Sequence, residues 1–301
     1  MKVAVLGGTG LIGWHTVNLL REKGHDIRVL ARKMPDAALG IQAHEFTPLD
    51  LYAATEEDFS KALEGCTGLV QAAGADPRIV PKGSAHDYFF EANVHANNRL
   101  LEAAQKAGVR AVVLLTSYFH PLRPEMADHP YVASRIASEE SALSMASEAF
   151  RIVILQPPYV FGSVPGRKGL GDSIAKFSWL PLLLPKGGTN AMSVRSLSEG
   201  IVGALSRPVQ GRFLVGDENL TNKQLFRRFG GRSLGLPTWI LRGVMWLGRV
   251  FLRLRGRESG LDPVRLVDVL ASDMFYDCDE SAKALGYTRG HLDEAIADIK
   301  A

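Results

Sequence analysis

Cysteine is nearly absent from this chain: Cys66 and Cys278 are the only two in 301 residues. Two thiols so far apart form neither a disulfide framework nor a metal-binding spacing, and a reduced, cytoplasmic setting is expected. An excess of one charge is also lacking, with 35 Lys and Arg against 32 Asp and Glu, a formal +3. That balance excludes the concentrated basic face of a nucleic-acid-binding protein. No apolar run is long enough for a polytopic membrane protein. With 46% hydrophobic and 22% charged residues, the chain is not disordered either. Met1 is followed at once by Lys2 and a buried-strand pattern, so no signal peptide is expected. Glycine, by contrast, is plentiful, with 30 residues, and where they sit is informative.

Lys2 to Leu6 is a short apolar run suited to a strand buried on both faces. Gly7-Gly8-Thr9-Gly10-Leu11-Ile12-Gly13 follows directly, then a helical pattern through Trp14, Val17, Leu19 and Leu20 that stops at Gly24, then a second apolar strand, Ile27 to Leu30. Strand, glycine loop, helix and strand in this order predict a dinucleotide site. Gly7 permits the tight turn, Gly10 lets backbone approach a pyrophosphate, and Gly13 lets the helix pack close to the strand. The pyrophosphate would sit on the free N–H groups and positive dipole end of that helix.

The alternation continues through strands predicted at His44–Phe46, Gly68–Ala72, Ala111–Leu115 and Arg151–Leu155. Helices are predicted from Thr55 to Leu63, from Asp87 to Ala107 and from Tyr131 to Ala149. Repeated βα units with buried strands predict an α/β fold, a doubly wound parallel sheet covered on both faces. Ligands bind at the carboxyl ends of such strands, so Gly10, Gly74, Ser117 and Pro157 should face one cleft. After the second strand come Ala31-Arg32-Lys33, with Asp36 the nearest acid downstream. Two cations suit a 2′-phosphate better than a free ribose hydroxyl. NADP(H) is therefore expected over NAD(H); the other reading is a solvated surface pair.

The chain resembles an extended short-chain dehydrogenase/reductase over nearly its whole length. The matching stretches are the glycine loop, Pro48-Leu49-Asp50-Leu51, Leu63-Glu64-Gly65-Cys66, Ala72-Ala73-Gly74, Asn93-Val94, Leu100 to Ala104, Pro157 to Gly162 and Lys283-Ala284-Leu285-Gly286-Tyr287. The resemblance implies a Rossmann-type dinucleotide-binding domain over residues 1–162 and a small, mostly helical substrate-binding region over 163–301, some of whose segments return to the first domain. It also implies a cofactor site. Gly7, Thr9, Gly10, Leu11, Ile12 and Gly13 would hold the pyrophosphate, and Asp50 and Leu51 would face the adenine. Ala73, Gly74 and Asn93 would lie along the cofactor, and Pro158, Tyr159 and Val160 at the nicotinamide.

Family catalysis uses a serine or threonine after the fifth strand and a tyrosine followed four positions on by lysine. Ser117 and Tyr131 match, whereas the lysine position holds Arg135. Residues i and i+4 share a helix face, and a fixed cation beside a phenol favours its phenolate. Tyr131 would then exchange a proton with a substrate oxygen that Ser117 holds by a hydrogen bond. Guanidinium is larger, planar and always charged, so the exchange is not conservative. It leaves open an active enzyme, a weak one, or a dinucleotide-binding protein that senses or scaffolds without catalysis.

Dehydratase members carry an aspartate and a glutamate where this chain has Tyr118 and Phe119. Sugar-nucleotide epimerases often carry an asparagine in the stretch that reads Pro157-Pro158-Tyr159-Val160-Phe161 here. The nearest branch is that of the dihydroflavonol reductases and 3β-hydroxysteroid dehydrogenases. Tyr118, Phe119 and His120 are the substrate-binding candidates, for a fairly apolar small molecule; core packing is the other reading of the two aromatics. The remaining histidines lack metal-ligand spacing, so no metal is expected.

Ser163 to Gly171 reads as a glycine-rich loop, either a lid over the substrate or an ordinary surface loop. Pro237 to Arg255 mixes Trp239, Trp246, Phe251 and several aliphatics with Arg242, Arg249, Arg253 and Arg255. The charges recur too often for a membrane span. A helix packed over the substrate cleft is the first expectation. A membrane-surface helix and a homodimer contact are the alternatives.

Overall fold

A computed structural model describes residues 1–34, 37–41 and 43–301. Along the chain run β1 (Lys2–Leu6), α1 (Leu11–Glu22), β2 (Asp26–Ala31), β3 (Glu45–Pro48), α2 (Glu56–Leu63), β4 (Gly68–Gln71), α3 (Ala85–Phe90), α4 (Ala96–Lys106), β5 (Ala111–Leu115), α5 (Phe119–Leu122), α6 (Pro130–Ser144) and β6 (Arg151–Gln156). The second half continues with β7 (Tyr159–Phe161), α7 (Leu170–Phe177), β8 (Leu182–Leu184), β9 (Gly188–Ser193), α8 (Val194–Ser206), β10 (Gly211–Leu214), β11 (Glu218–Thr221), α9 (Asn222–Arg228) and β12 (Ser233–Gly235). It ends with α10 (Thr238–Leu254), α11 (Pro263–Leu270), β13 (Asp273–Met274), α12 (Asp279–Leu285) and α13 (Leu292–Lys300).

Seven parallel strands form the main sheet in the order β10-β6-β5-β4-β1-β2-β3. Alternate residues of each strand serve two cores, as a parallel sheet buried on both faces requires. Ala4, Leu6, Val112 and Leu114 pack with α2 and α4 residues such as Phe59 and Leu100. Val3, Val5, Val113 and Val153 pack on the other face with Val17 and Leu20 of α1 and Leu197 and Ile201 of α8. This is the Rossmann-type α/β fold expected. A smaller sheet has β9 paired to β7, β11 and β13, and β7 follows β6 of the main sheet after only Pro157 and Pro158.

Several boundaries differ from the sequence expectations. The helix predicted from Asp87 begins at Ala85, because the Ser84 side chain accepts a hydrogen bond from the Asp87 N–H and caps the first turn. It passes through a π turn, Glu91–His95, before continuing as α4. The turn contains Asn93, and such turns often mark functional positions. The helix predicted from Tyr131 to Ala149 is Pro130–Ser144, because Ser147 and Phe150 close a separate turn before β6. The 163–171 segment contains a Val164–Arg167 bridge and enters α7, where Asp172 accepts from the Gly169 N–H at 2.7 Å.

The expectation that the 237–255 segment covers the cleft does not hold, because none of its residues lines it. The segment is helical, as α10, but it lies along α11, held by ion pairs of Arg242 with Asp268 and of Arg249 with Asp262. Its amphipathic pattern turns an apolar face outward. No helix among the described residues is long and apolar enough to cross a membrane.

Candidate active site

The strand order reverses between β1 and β4, and ligands bind at such switch points. Here a cleft of about 710 Å³ opens. It is lined by Gly10 to Gly13 after β1, Ala72 and Asp76 to Arg78 after β4, Thr116 to Phe119 after β5, and Tyr131 from α6. Pro157 to Gly162 close its far side, and Arg167 to Leu170, Asp172, Ile174 and Leu225 form the outer wall.

The glycine loop is built for close approach. Gly7 has φ +81°, and its carbonyl accepts from the Gly10 N–H at 2.9 Å. A Cβ on Gly13 would lie 2.2 Å from that carbonyl oxygen, so only glycine allows this contact between helix and turn. No side chain caps the start of α1, which leaves its first N–H groups and dipole directed at the cleft. These features fit a dinucleotide pyrophosphate. Leu11, Ile12, Pro158, Tyr159 and Val160 also line the cleft; Thr9 is buried beside it.

The next layer of predicted residues is contiguous with this one. A Cβ on Gly7 would meet the backbone of Ala72 and Ala73; one on Gly74 would meet the Arg135 guanidinium at 3.0 Å and Asn93 at 3.4 Å. Buried Asn93 accepts from the Ala75 N–H at 3.0 Å and donates to the Ser134 hydroxyl at 3.0 Å, which ties the loop after β4 to α6. Arg32 and Lys33 lie exposed at the end of β2, with no ion pair among the described residues; Asp36 lies outside those residues. Asp50 is exposed and accepts from the Tyr52 N–H, while the Leu51 side chain belongs to the core.

Ser117 and Tyr131 both line the cleft. Ser117 Oγ accepts from the Phe119 N–H at 3.4 Å. The Tyr131 ring is held edge-on by Phe89 at 5.5 Å and Phe119 at 6.5 Å, and Arg135 Cζ stands 5.3 Å from its centroid. The arginine therefore faces the phenol ring as a cation–π partner. Its Nη1 donates to the Leu115 carbonyl at 3.3 Å and its Nη2 to the Ala75 carbonyl at 3.2 Å, so it joins β5 to the loop after β4. Its Nε is buried without a hydrogen-bond partner, and Arg135 itself stands behind the residues that line the cleft.

Tyr118 and Phe119 line the cleft; His120 does not. Burial pushes the Tyr118 phenol well above its ordinary range, and its hydroxyl pairs with Thr189 Oγ1 at 2.9 Å. Burial likewise raises Tyr159. The Asp76–Arg78 pair was not anticipated from the sequence. Arg78 donates to both Asp76 oxygens. Burial raises the Asp76 carboxyl, but these bonds outweigh it and keep it below the usual carboxylate range. Arg167 and Lys168 on the outer wall were not singled out either, although the 163–171 loop that carries them was read as a lid over the substrate or a surface loop. No cluster able to hold a metal ion occurs among the described residues.

A Rossmann-type sheet with an uncapped glycine-loop helix and a serine–tyrosine pair at its switch point defines a dinucleotide-dependent class. Residues 3–178 match the model of the NAD dependent epimerase/dehydratase family, and the chain belongs to that family. It is 32% identical over 206 residues to the Escherichia coli (strain K12) protein YbjS, a match covering 63% of this chain and 59% of that protein. Identity is 25% to the 4-hydroxy-2-methyl-3-oxo-4-farnesyl-3,4-dihydroquinoline-1-oxide ketoreductase of Stigmatella aurantiaca, over 95% of this chain and 92% of that one. It is 29% to the UDP-glucose 4-epimerase of Lacticaseibacillus casei, over 55% and 53%. The fold matches that of gox2253 with a TM-score of 0.79 at 22% identity, covering 99% and 96% of the two chains. It matches human epimerase family protein SDR39U1, solved with NADPH, with a TM-score of 0.73 at 18% identity, covering 100% and 99%.

Proposed function

We propose that this protein is an NADP(H)-dependent oxidoreductase that reduces the carbonyl of a fairly apolar small molecule, or oxidises the matching alcohol. The observation that carries the reading is that Ser117 and Tyr131 line one cleft, walled by Tyr118, Phe119, Tyr159 and Ile174. Gly10 to Gly13 would hold the cofactor pyrophosphate, Arg32 and Lys33 its 2′-phosphate, and Arg135 its nicotinamide ribose. The ketoreductase relative, whose named substrate carries a farnesyl chain, supports an apolar substrate. The wall from Arg167 to Leu225 would contact it.

When bound, NADPH would supply the hydride that reaches the carbonyl carbon. Ser117 donates a hydrogen bond to the carbonyl oxygen and fixes its position. Tyr131 delivers its hydroxyl proton to that oxygen as the charge develops. Arg135, held by two main-chain carbonyls, keeps its guanidinium fixed against the phenol ring. Phe89 and Phe119 restrict the ring, so the hydroxyl meets the substrate in one orientation.

A second reading is a sugar-nucleotide epimerase, favoured by Arg78, Arg167 and Lys168 on the cleft wall, cations that suit a diphosphate. Incubation with NADPH and a panel of aromatic and long-chain ketones separates the two. A reductase consumes NADPH in step with product. Tightly held cofactor that interconverts a sugar nucleotide without net consumption identifies the epimerase. Binding without either reaction refutes both and leaves a catalytically silent dinucleotide-binding sensor or scaffold.

A further inference from the structure

Helix α10 is wholly apolar on the side it turns away from the protein. At about 100° per residue, Trp239, Val244, Trp246, Leu247, Phe251 and Leu254 fall within one arc of about 160°. Trp239 is 73% exposed, Leu247 61% and Leu254 82%. Arginines border this arc, Arg242 and Arg253 on one side and Arg255 on the other. Arg255 Cζ stacks 4.0 Å from the Phe251 ring centroid. From Pro237 to Arg257 there is no Asp or Glu. Arg253 and Arg255 have no ion pair among the described residues.

Further exposed apolar side chains lie on the strands that lead into the helix. Leu183 of β8 and Leu234 of β12 are register partners, 56% and 61% exposed. The Leu236 N–H donates to the Leu184 carbonyl at 2.8 Å just before the helix starts. Trp179, 77% exposed, precedes β8. It follows α7, whose Leu170 and Ile174 line the cleft.

We infer that this face docks on an anionic membrane surface, with α10 lying in the interface plane. Two exposed tryptophans suit the headgroup boundary. The aliphatic and Phe side chains would enter the upper acyl region, and the flanking arginines extend along their stems toward anionic headgroups. Charge selects the bilayer over a second copy of the chain. Arg242 is offset by Asp268, but a twofold contact through the same face would oppose the unpaired Arg253 and Arg255 to their own copies with no acid on the helix to offset them, whereas phosphatidylglycerol or a similar lipid supplies the opposite charge. The 17-residue length of α10, about 25 Å, allows it to lie along the surface. The inference does not rest on the catalytic reading, although α7 links the docking face to the cleft.

Co-sedimentation of the whole protein with phosphatidylcholine vesicles, with and without about one-third phosphatidylglycerol, tests it. Binding to the anionic vesicles is expected to be at least about tenfold stronger, to fall steeply with salt, and to shift tryptophan emission to the blue. The exposed double substitution Trp239→Glu/Leu247→Glu should lower binding by about tenfold or more, while the thermal midpoint and NADPH titration stay unchanged. Equal binding of the variant, or none by the native chain, overturns the proposal. A native dimer that the same substitutions convert to monomer also overturns it, since the occupant is then a second copy.

Discussion

Replacing Gly13 with alanine adds one methyl group where the structure has no room for it. The new Cβ would lie 2.2 Å from the Gly7 carbonyl oxygen and 2.7 Å from Gly7 C and Gly8 Cα, all backbone atoms. Ordinary contact requires α1 and the turn to separate by about 1 Å. Gly7 is fixed by its positive φ and by the bond its carbonyl accepts from the Gly10 N–H. Relief therefore comes from moving the start of α1 or breaking that bond. Overpacking of this kind costs about 1–3 kcal/mol, and the hydrogen bond about 1 kcal/mol more. The same movement displaces the N–H groups that would hold a pyrophosphate, and loss of one hydrogen bond to a charged group costs about 1.5–3 kcal/mol, roughly 10- to 150-fold in affinity. Thermal unfolding and NADPH fluorescence titration measure the two effects separately. Gly243→Ala is the control, because Gly243 lies within α10 and a Cβ there meets nothing within 4 Å; it should stabilise by about 0.5–1 kcal/mol. A Gly13→Ala variant with near-native melting and cofactor affinity would refute the argument from close approach.

Other substitutions probe other parts of the account. Arg32→Ala should weaken NADPH binding by about tenfold and leave NADH nearly unchanged; an equal effect on both, or none, removes Arg32 from 2′-phosphate recognition. His129 is the buried residue just before α6, with its pKa lowered, first by burial and then by Arg265, and its Nδ1 accepts from the Asp262 N–H at 2.9 Å. A folded-state value below the ordinary 6.5 means that His129 contributes stability above pH 6.5, lost as pH falls through the folded value. His129→Gln should therefore flatten the decline in melting temperature below pH 6.5. Because His15 is lowered by burial with the same sign, the slope should shrink and not vanish; an unchanged slope contradicts the assignment.

The parts legible in the sequence were those where backbone geometry or two-sided burial leaves few choices. Gly7, Gly10 and Gly13 could be assigned by spacing because each answers a steric demand, and Ala111 to Leu115 could be read as a strand because both its faces are buried. The Tyr131–Arg135 relation was legible as a shared helix face. That the guanidinium also donates to the Leu115 and Ala75 carbonyls was not, since those partners are far away in sequence. Asp76 with Arg78, and the cations at Arg167 and Lys168, sit on irregular segments without a period to reveal them. For α10 the pattern announced an apolar face but not its direction. An amphipathic arc says only that one side prefers low polarity, and the pairs with Asp262 and Asp268, which turn that side outward, are tertiary.

Steady-state turnover of Tyr131→Phe against the native chain, with cofactor affinity measured alongside, tests the catalytic claim most directly. The substitution removes one hydroxyl and keeps the ring that packs against Phe89, Phe119 and Arg135. NADPH binding should therefore stay native while carbonyl reduction falls by about 100-fold or more. Full turnover by Tyr131→Phe would contradict the assignment of this tyrosine as the proton donor.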